Sequence, residues 1–414
     1  MEVYLGNDNY FVTGSKNAAI YDLRKEKVYE LNEIAKFSII NFIEKKQMNT
    51  QQKNFVDDLI KKQLINPSQI SKKFEFEKPK FKIKFAWLEL TEQCNLRCVH
   101  CYGNFGEPPK CKTEKMKLEE WYTVIDELYD MGCRDIQLIG GEPFCYKNIY
   151  EIIKYLHEKG FKKITNFTNA TLINKDNIEI LKKYNVNTRF SLYGYNAETH
   201  ETVTQIKGSF EKTVNAIKLL KENNLKVSVA VILMKENERY IENIKKFIVE
   251  DLGIDYNGYD VIRPSCINDN IEHQIKDYSI LSNRYYTFPR FRITKKQFEY
   301  NHFYNACLNE KIAIASNGDI LPCIFSRNSI IGNVKSTPLQ DLMQNIQKSW
   351  EITKNEIKSC QNCEYRYACS DCRPLALGVF DDKLAKYPRC CYSPEEGVWK
   401  NIEQVTQEIN YKEV

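Results

Sequence analysis

Between residues 81 and 263 the chain repeats one grammar: a short apolar run rich in β-branched residues, then a longer amphipathic stretch. The runs FKIKFAWLEL, DIQLIG, KITNFTN, TRFSLYG, KVSVAVILM and YNGYDVI read as strands. Between them MKLEEWYTVIDELYDMG, NIYEIIKYLHEKG and SFEKTVNAIKLLKENN read as helices closed by Gly or Asn. This alternation predicts parallel pairing through right-handed crossovers. Six units are too few for a closed eight-unit barrel, so the expected fold is α/β, an open partial (β/α)6 barrel with its ligand site at the carboxyl ends of the strands.

The flanks follow other patterns. NYFVTG, AAIYDL and KVYELN read as short strands, followed by helical NEIAKFSIINFIEK and TQQKNFVDDLIKKQLI, a small α+β, winged-helix-like domain over residues 1–75. SQISKKFEFEKPKF, charged and proline-bearing, reads as a linker. The barrel spans 81–263, a connection 264–300, and a cysteine-rich segment 301–414, in which Asn317-Gly318 between apolar runs signals a tight hairpin.

Composition narrows the class. Sixty Lys and Arg against fifty-five Asp and Glu give a formal charge of +5 spread along the chain, which implies no nucleic-acid partner. No run approaches the roughly 18 apolar residues of a membrane span and no export signal opens the chain, so the expectation is a cytoplasmic protein without a membrane partner. Fifteen cysteines in such a compartment point to metal rather than disulfides. Eleven fall into spaced groups; Cys111, Cys133, Cys145 and Cys266 stand alone and read as small buried hydrophobes or incidental thiols.

The first group, Cys94, Cys98 and Cys101, forms CxxxCxxC directly after the first barrel strand, so one loop can hold three corners of a [4Fe–4S] cube and leave the fourth iron without a protein ligand. Zinc would ask for a fourth ligand, and His100 is awkwardly placed between two of the cysteines.

CNLRCVHC resembles the signature loop of the radical S-adenosylmethionine (SAM) superfamily, and further matches follow in order over roughly residues 84–263. The resemblance implies that Gly140, Gly141, Glu142 and Pro143 of LIGGEPF approach the SAM amino group, where glycines admit close backbone approach and a carboxylate can hold an ammonium. It also implies SAM contacts from Thr168 and Asn169, from Ser191, and from the backbone of Tyr102 to the adenine. Relatives place an Asp–x–x–Arg after that serine to bind the SAM carboxylate; here HETVT (residues 200–204) has no arginine, and Lys207 is the candidate cation. The implied chemistry is reductive cleavage of SAM to a 5′-deoxyadenosyl radical, with an electron donor such as flavodoxin or ferredoxin.

The second group resembles the SPASM extension of that superfamily, which carries auxiliary [4Fe–4S] clusters; a zinc knuckle is the competing reading. By resemblance Cys360, Cys363, Cys369 and one of Cys390 or Cys391 hold a distal cluster, and Cys307, Cys323 and Cys372 a proximal one with a possible open iron. Residues 1–75 resemble the peptide-recognition domain of enzymes that modify ribosomal peptides, which bind a leader peptide as an added strand. The expected function is a peptide maturase acting on a ribosomally synthesised precursor peptide, by thioether cross-link formation from Cys. The alternatives are carbon–carbon cross-linking, formylglycine formation as in anaerobic sulfatase-type maturases, and a metal-stabilised binding module. No general acid or base is singled out.

Overall fold

The computed structural model describes residues 1–106, 115–263, 270–281, 292–403 and 405. Cys111 and Cys266 lie outside them, as does part of the 264–300 connection. The chain divides into two compact units, residues 81–277 with 310–349, and residues 1–80 with 278–309 and 350–414.

In the unit of residues 1–80, 278–309 and 350–414 the small N-terminal sheet is a meander β1 (Glu2–Gly6), β2 (Asn9–Thr13), β3 (Ala18–Asp22) and β4 (Lys27–Leu31), all antiparallel. Helices α1 (Glu33–Ile43) and α2 (Thr50–Lys61) follow, each opened by an asparagine whose side chain accepts a first-turn amide, Asn32 from Ala35 and Asn49 from Gln52. Alternate residues of the sheet face opposite ways. Val3, Leu5, Phe11 and Ile20 pack with Ile39, Val56 and Leu59 of the helices. Tyr10, Val12, Ala19 and Tyr21 pack on Phe298, Tyr365, Tyr367 and Tyr392. The sheet is thus sandwiched between its own helices and the cysteine-rich segment. Hydrogen bonds fasten the second contact: Tyr21 Oη donates to the Glu364 carbonyl at 2.7 Å, and the Arg366 guanidinium donates to the Thr13 carbonyl at 3.0 Å and to the Glu2 carboxylate at 2.6 Å.

The other unit is built on the expected parallel sheet. β5 (Phe85–Glu89), β6 (Asp135–Ile139), β7 (Lys163–Thr168), β8 (Asn187–Ser191), β9 (Val227–Leu233) and β10 (Tyr259–Val261) pair in sequence order and in parallel. Helices α3 (Leu118–Asp130), α4 (Ile149–Lys159), α5 (Lys175–Lys183), α6 (Ala197–Thr204) and α7 (Ser209–Glu222) fill the crossovers from β5 to β9. Gly160 closes α4 at φ 99°, a left-handed turn open to glycine at no steric cost. On the outer edge of β5 the chain adds β11 (Lys311–Ile314) in parallel, then β12 (Asp319–Leu321) and β13 (Gly332–Asn333), so among the described residues the sheet has nine strands. Asn317-Gly318 forms the β11–β12 hairpin turn, with Gly318 at φ 92°. Among the described residues no helix is long and apolar enough to cross a membrane.

Candidate active site

Chain leaving β5 runs directly into the cysteine loop, whose base is clamped by the loop after β6. Gly141 N donates to the Thr91 carbonyl and Glu142 N to the Gln93 carbonyl, both at 2.8 Å. A β-carbon on Gly140 would stand 2.5 Å from the Thr91 carbonyl oxygen, and one on Gly141 2.3 Å from that of Gln93. Glycine is required at both positions by the cysteine loop's own backbone. On its far side the loop is tied to the end of α6, by Arg97 N to the Thr204 carbonyl and Val99 N to the Val203 carbonyl, each at 3.0 Å.

Between these fastenings Cys94, Cys98 and Cys101 line one cavity at the carboxyl ends of the strands, together with Tyr102, Gly140, Gly141, Thr168, Asn169 and Ser191. Backbone amides point at two of the sulfurs, Leu96 N at Cys94 and Phe105 N at Cys101, both at 3.4 Å. Burial pushes the Cys94 thiol up to about 12 and raises Cys98 and Cys101 too, so three thiolates are tolerable here only against compensating positive charge. An iron–sulfur cluster supplies that charge, and amide donors to sulfur suit it. Among the described residues no three His, Cys, Asp or Glu side chains converge closely enough for a single metal ion; the ligands of a four-iron cluster stand further apart.

Glu142 is fully buried, and its carboxylate accepts from Thr168 Oγ1 at 2.6 Å, from Asn169 N at 2.8 Å and from Phe144 N at 3.1 Å. Burial raises its pKa to about 7 against those donors. Its observed partners belong to the protein: it positions the end of β7 for the cavity, and Pro143 is buried beside it. Asn169 carries the arrangement onward, its amide donating to Asn95 Oδ1 at 2.9 Å and lying 3.9 Å from Cys94 Sγ.

The opposite wall is aromatic. Tyr102 sits edge-on to Phe105 and Phe325, with the Arg327 guanidinium 5.5 Å from its ring centre and paired to buried Glu89. His100 packs against Tyr193, and Tyr193 N donates to His200 Nδ1 at 3.3 Å. Burial lowers both histidines to about 4, so both are neutral at pH 7. Lys207 is exposed and does not line the cavity. The cation that does is Arg263, just past β10, held by Asp260 at 2.5 Å and lying 5.0 Å from the Phe325 ring centre. Arg263 belongs to no motif; its one sequence signal is its position after the sixth strand-like run.

In the other unit Cys360, Cys363, Cys369 and Cys390 line a second cavity with Lys354, Arg366 and Lys386. Cys390 lines it and Cys391 does not; the Cys391 backbone instead accepts from Lys400 N in the β-bridge region that follows. Burial pulls the Lys354 ammonium down, but the Cys369 thiol, once ionised, and the Asp371 carboxylate outweigh it and leave its pKa raised. A buried ammonium beside four thiols fits an anionic cluster held there. Cys307 and Cys372, the latter capping the helix Arg373–Phe380, belong to this unit, whereas Cys323 follows β12 in the other. Of the isolated cysteines, Cys133 is buried and Cys145 half-buried.

Residues 88–248 match the sequence family described as the Radical SAM superfamily, and residues 307–373 match SPASM, an iron–sulfur cluster-binding domain. An AdoMet-dependent heme synthase of Methanosarcina barkeri (strain Fusaro / DSM 804) is 27% identical over 343 residues, 75% of this chain and 96% of the relative. The antilisterial bacteriocin subtilosin biosynthesis protein AlbA of Bacillus subtilis (strain 168) is 28% identical over 339 residues, 78% of this chain and 73% of the relative. Streptococcus suis SuiB bound to S-adenosylmethionine shares the fold at a TM-score of 0.58 and 18% identity, covering 94% of this chain and 97% of that one.

Proposed function

This chain is an enzyme with a radical SAM domain and a SPASM iron–sulfur domain, and from that premise we propose that it matures a ribosomally made precursor peptide, forming a thioether cross-link from a peptide cysteine. When bound, the cluster and SAM supply a carbon-centred radical able to take hydrogen from an unactivated position. The chain's own residues hold and enclose them. Cys94, Cys98 and Cys101 would ligate the cluster, Gly140, Gly141, Thr168, Asn169 and Ser191 would line the SAM site, and Tyr102, Phe105 and Phe325 would exclude water beside it. Cys360, Cys363, Cys369 and Cys390 would ligate an auxiliary cluster. Flavodoxin or ferredoxin is the class of electron donor such a centre uses.

The observation that carries the peptide reading is an open strand edge. The β1 edge is already covered, Tyr4 and Ser71 exchanging backbone hydrogen bonds at 2.9 and 3.0 Å. Among the described residues nothing pairs with the outer edge of β4, and α1 beside it exposes Ile34 and Phe37, 73% and 47% accessible. An edge next to an apolar helical face is how an extended peptide is recruited by strand addition. AlbA, a bacteriocin biosynthesis protein, and the structure of SuiB bound to its precursor peptide SuiA support the same substrate class.

Incubating the reduced enzyme with SAM and candidate precursors tests the proposal: a product lighter by two hydrogens, and absent when the peptide cysteine is serine, is expected. A product trapped by a hydrazide would favour formylglycine instead. The 27% identity to the AdoMet-dependent heme synthase of Methanosarcina barkeri favours a second reading, a step of heme synthesis on a porphyrin; turnover of a porphyrin with no response to any cysteine peptide would select it.

A further inference from the structure

The cavity lined by Cys360, Cys363, Cys369 and Cys390 contains a charge that the proposed reaction does not use. Lys354 is 6% exposed and lines that cavity, with its Nζ 2.9 Å from Asp371 Oδ2. An ammonium has three donors, and among the described residues Asp371 is the acceptor within reach, in ion-pair contact without full hydrogen-bond geometry. Asp371 is in turn shared with Arg373. The other cations of the cavity have their own partners, Arg366 the Glu2 carboxylate and Lys386 the Tyr392 carbonyl at 2.7 Å. No residue lining the cavity is acidic. A buried ammonium with donors to spare is costly unless something in the cavity accepts from it.

We propose that Lys354 is a positioning residue for the auxiliary cluster, its ammonium donating to cluster sulfur and holding the cluster's reduction potential up. This rests on the reading that those four cysteines ligate a cluster. A four-thiolate cluster gains negative charge on reduction, and a cation fixed beside it in a low-dielectric pocket stabilises the reduced form more than the oxidised one; hydrogen bonds to sulfur act in the same direction.

The test is a potentiometric titration of the anaerobically prepared full-length holoenzyme, followed by electron paramagnetic resonance. The signal lost in Cys360→Ala marks the auxiliary cluster; unchanged iron content and unchanged spectra in that variant would remove the cluster reading itself. Lys354→Met should keep its iron and show a more negative midpoint, with Lys354→Arg close to wild type. A fully loaded Lys354→Met variant with the wild-type midpoint overturns the proposal. If the Met variant does not load, Lys354→Gln decides, since its amide can fill the space and donate while carrying no charge. A more negative midpoint supports the role, and an unchanged or more positive one overturns it.

Discussion

Gly141 and Gln93 meet backbone to backbone, so closely that a β-carbon on the glycine would stand 2.3 Å from the glutamine carbonyl oxygen. This contact fixes the base of the cysteine loop against the loop after β6, and Glu142 N completes it with a bond to the same carbonyl.

Gly141→Ala should therefore displace the cysteine loop while sparing the distant strands. Forced overpacking of this kind costs about 1–3 kcal/mol. Iron bound per chain and SAM affinity are expected to fall together, with far-ultraviolet circular dichroism unchanged. A variant that loads and binds SAM like wild type would refute the clamp.

Much of this is legible in the sequence, for physical reasons. Each barrel strand is a contiguous apolar run between amphipathic helices, so the unit repeats visibly, and CxxxCxxC is local enough to read directly. What was not legible depends on distant chain. The strand-like runs legible in the sequence begin at NYFVTG and leave out β1, although Gly6, Asn7 and Asp8, all at positive φ, carry a hairpin-turn signal. The Asn317-Gly318 hairpin was readable, but its parallel attachment to β5 has no local signature. Glu142 could be located, whereas its engagement by Thr168 and Asn169 depends on β7. Cys390 and Cys391 are neighbours in sequence and differ in the direction the fold turns them.

That difference makes a prediction. Cys390→Ala should lose the iron of one cluster, because a ligand is removed, while Cys391→Ala should retain full iron and at most a modest loss of stability. Metal analysis paired with absorbance of the anaerobic proteins separates the two, and the reverse pattern would refute the assignment of Cys390.

The proposed recognition edge on β4 and the cysteines proposed to hold the auxiliary cluster lie in one compact unit, which changes what a truncation reports. Deleting residues 1–75 would remove Tyr21 and Glu2 from Glu364 and Arg366, so iron loss is expected in addition to weaker precursor binding. Point variants are cleaner. Ile34→Asp with Phe37→Asp, on the exposed face of α1, should weaken precursor affinity by about tenfold, roughly 1.4 kcal/mol, with SAM cleavage unchanged. Undiminished affinity by fluorescence anisotropy would exclude this face.

Acid stability should report on His200. Its folded pKa is lowered to about 4 by burial, against 6.5 for an ordinary histidine. Above pH 6.5 both states are neutral and nothing is lost; as pH falls from 6.5 towards 4 the unfolded chain takes up the proton first, and stability drops. The full effect is on the order of 3 kcal/mol. His200→Asn, whose Oδ1 stands where Nδ1 does and can still accept from Tyr193 N, should flatten this part of a urea-midpoint profile, leaving the portion due to His100. An unaltered acid limb would show that the histidine is protonated in the fold.

SAM carries a carboxylate, the segment HETVT (residues 200–204) has no arginine, and Lys207 lies exposed. Arg263 lines the cavity with the three cysteines, aimed by Asp260 and flanked by Phe325. A charge-assisted pair with a carboxylate contributes about 1.5–3 kcal/mol, so Arg263→Gln should weaken SAM binding by roughly tenfold or more at unchanged iron content. Arg263→Lys should recover part of it, since the point charge remains while the fork geometry is lost. Decarboxylated SAM isolates the interaction: if Arg263 holds the carboxylate, wild type prefers SAM over this analogue more strongly than Arg263→Gln does. Asp260→Asn, which frees the guanidinium without removing it, should give an intermediate loss. Unchanged SAM affinity with weakened precursor binding would instead direct Arg263 at a carboxylate of the substrate, and if neither affinity moves, the arginine serves only to close the cavity wall against Phe325.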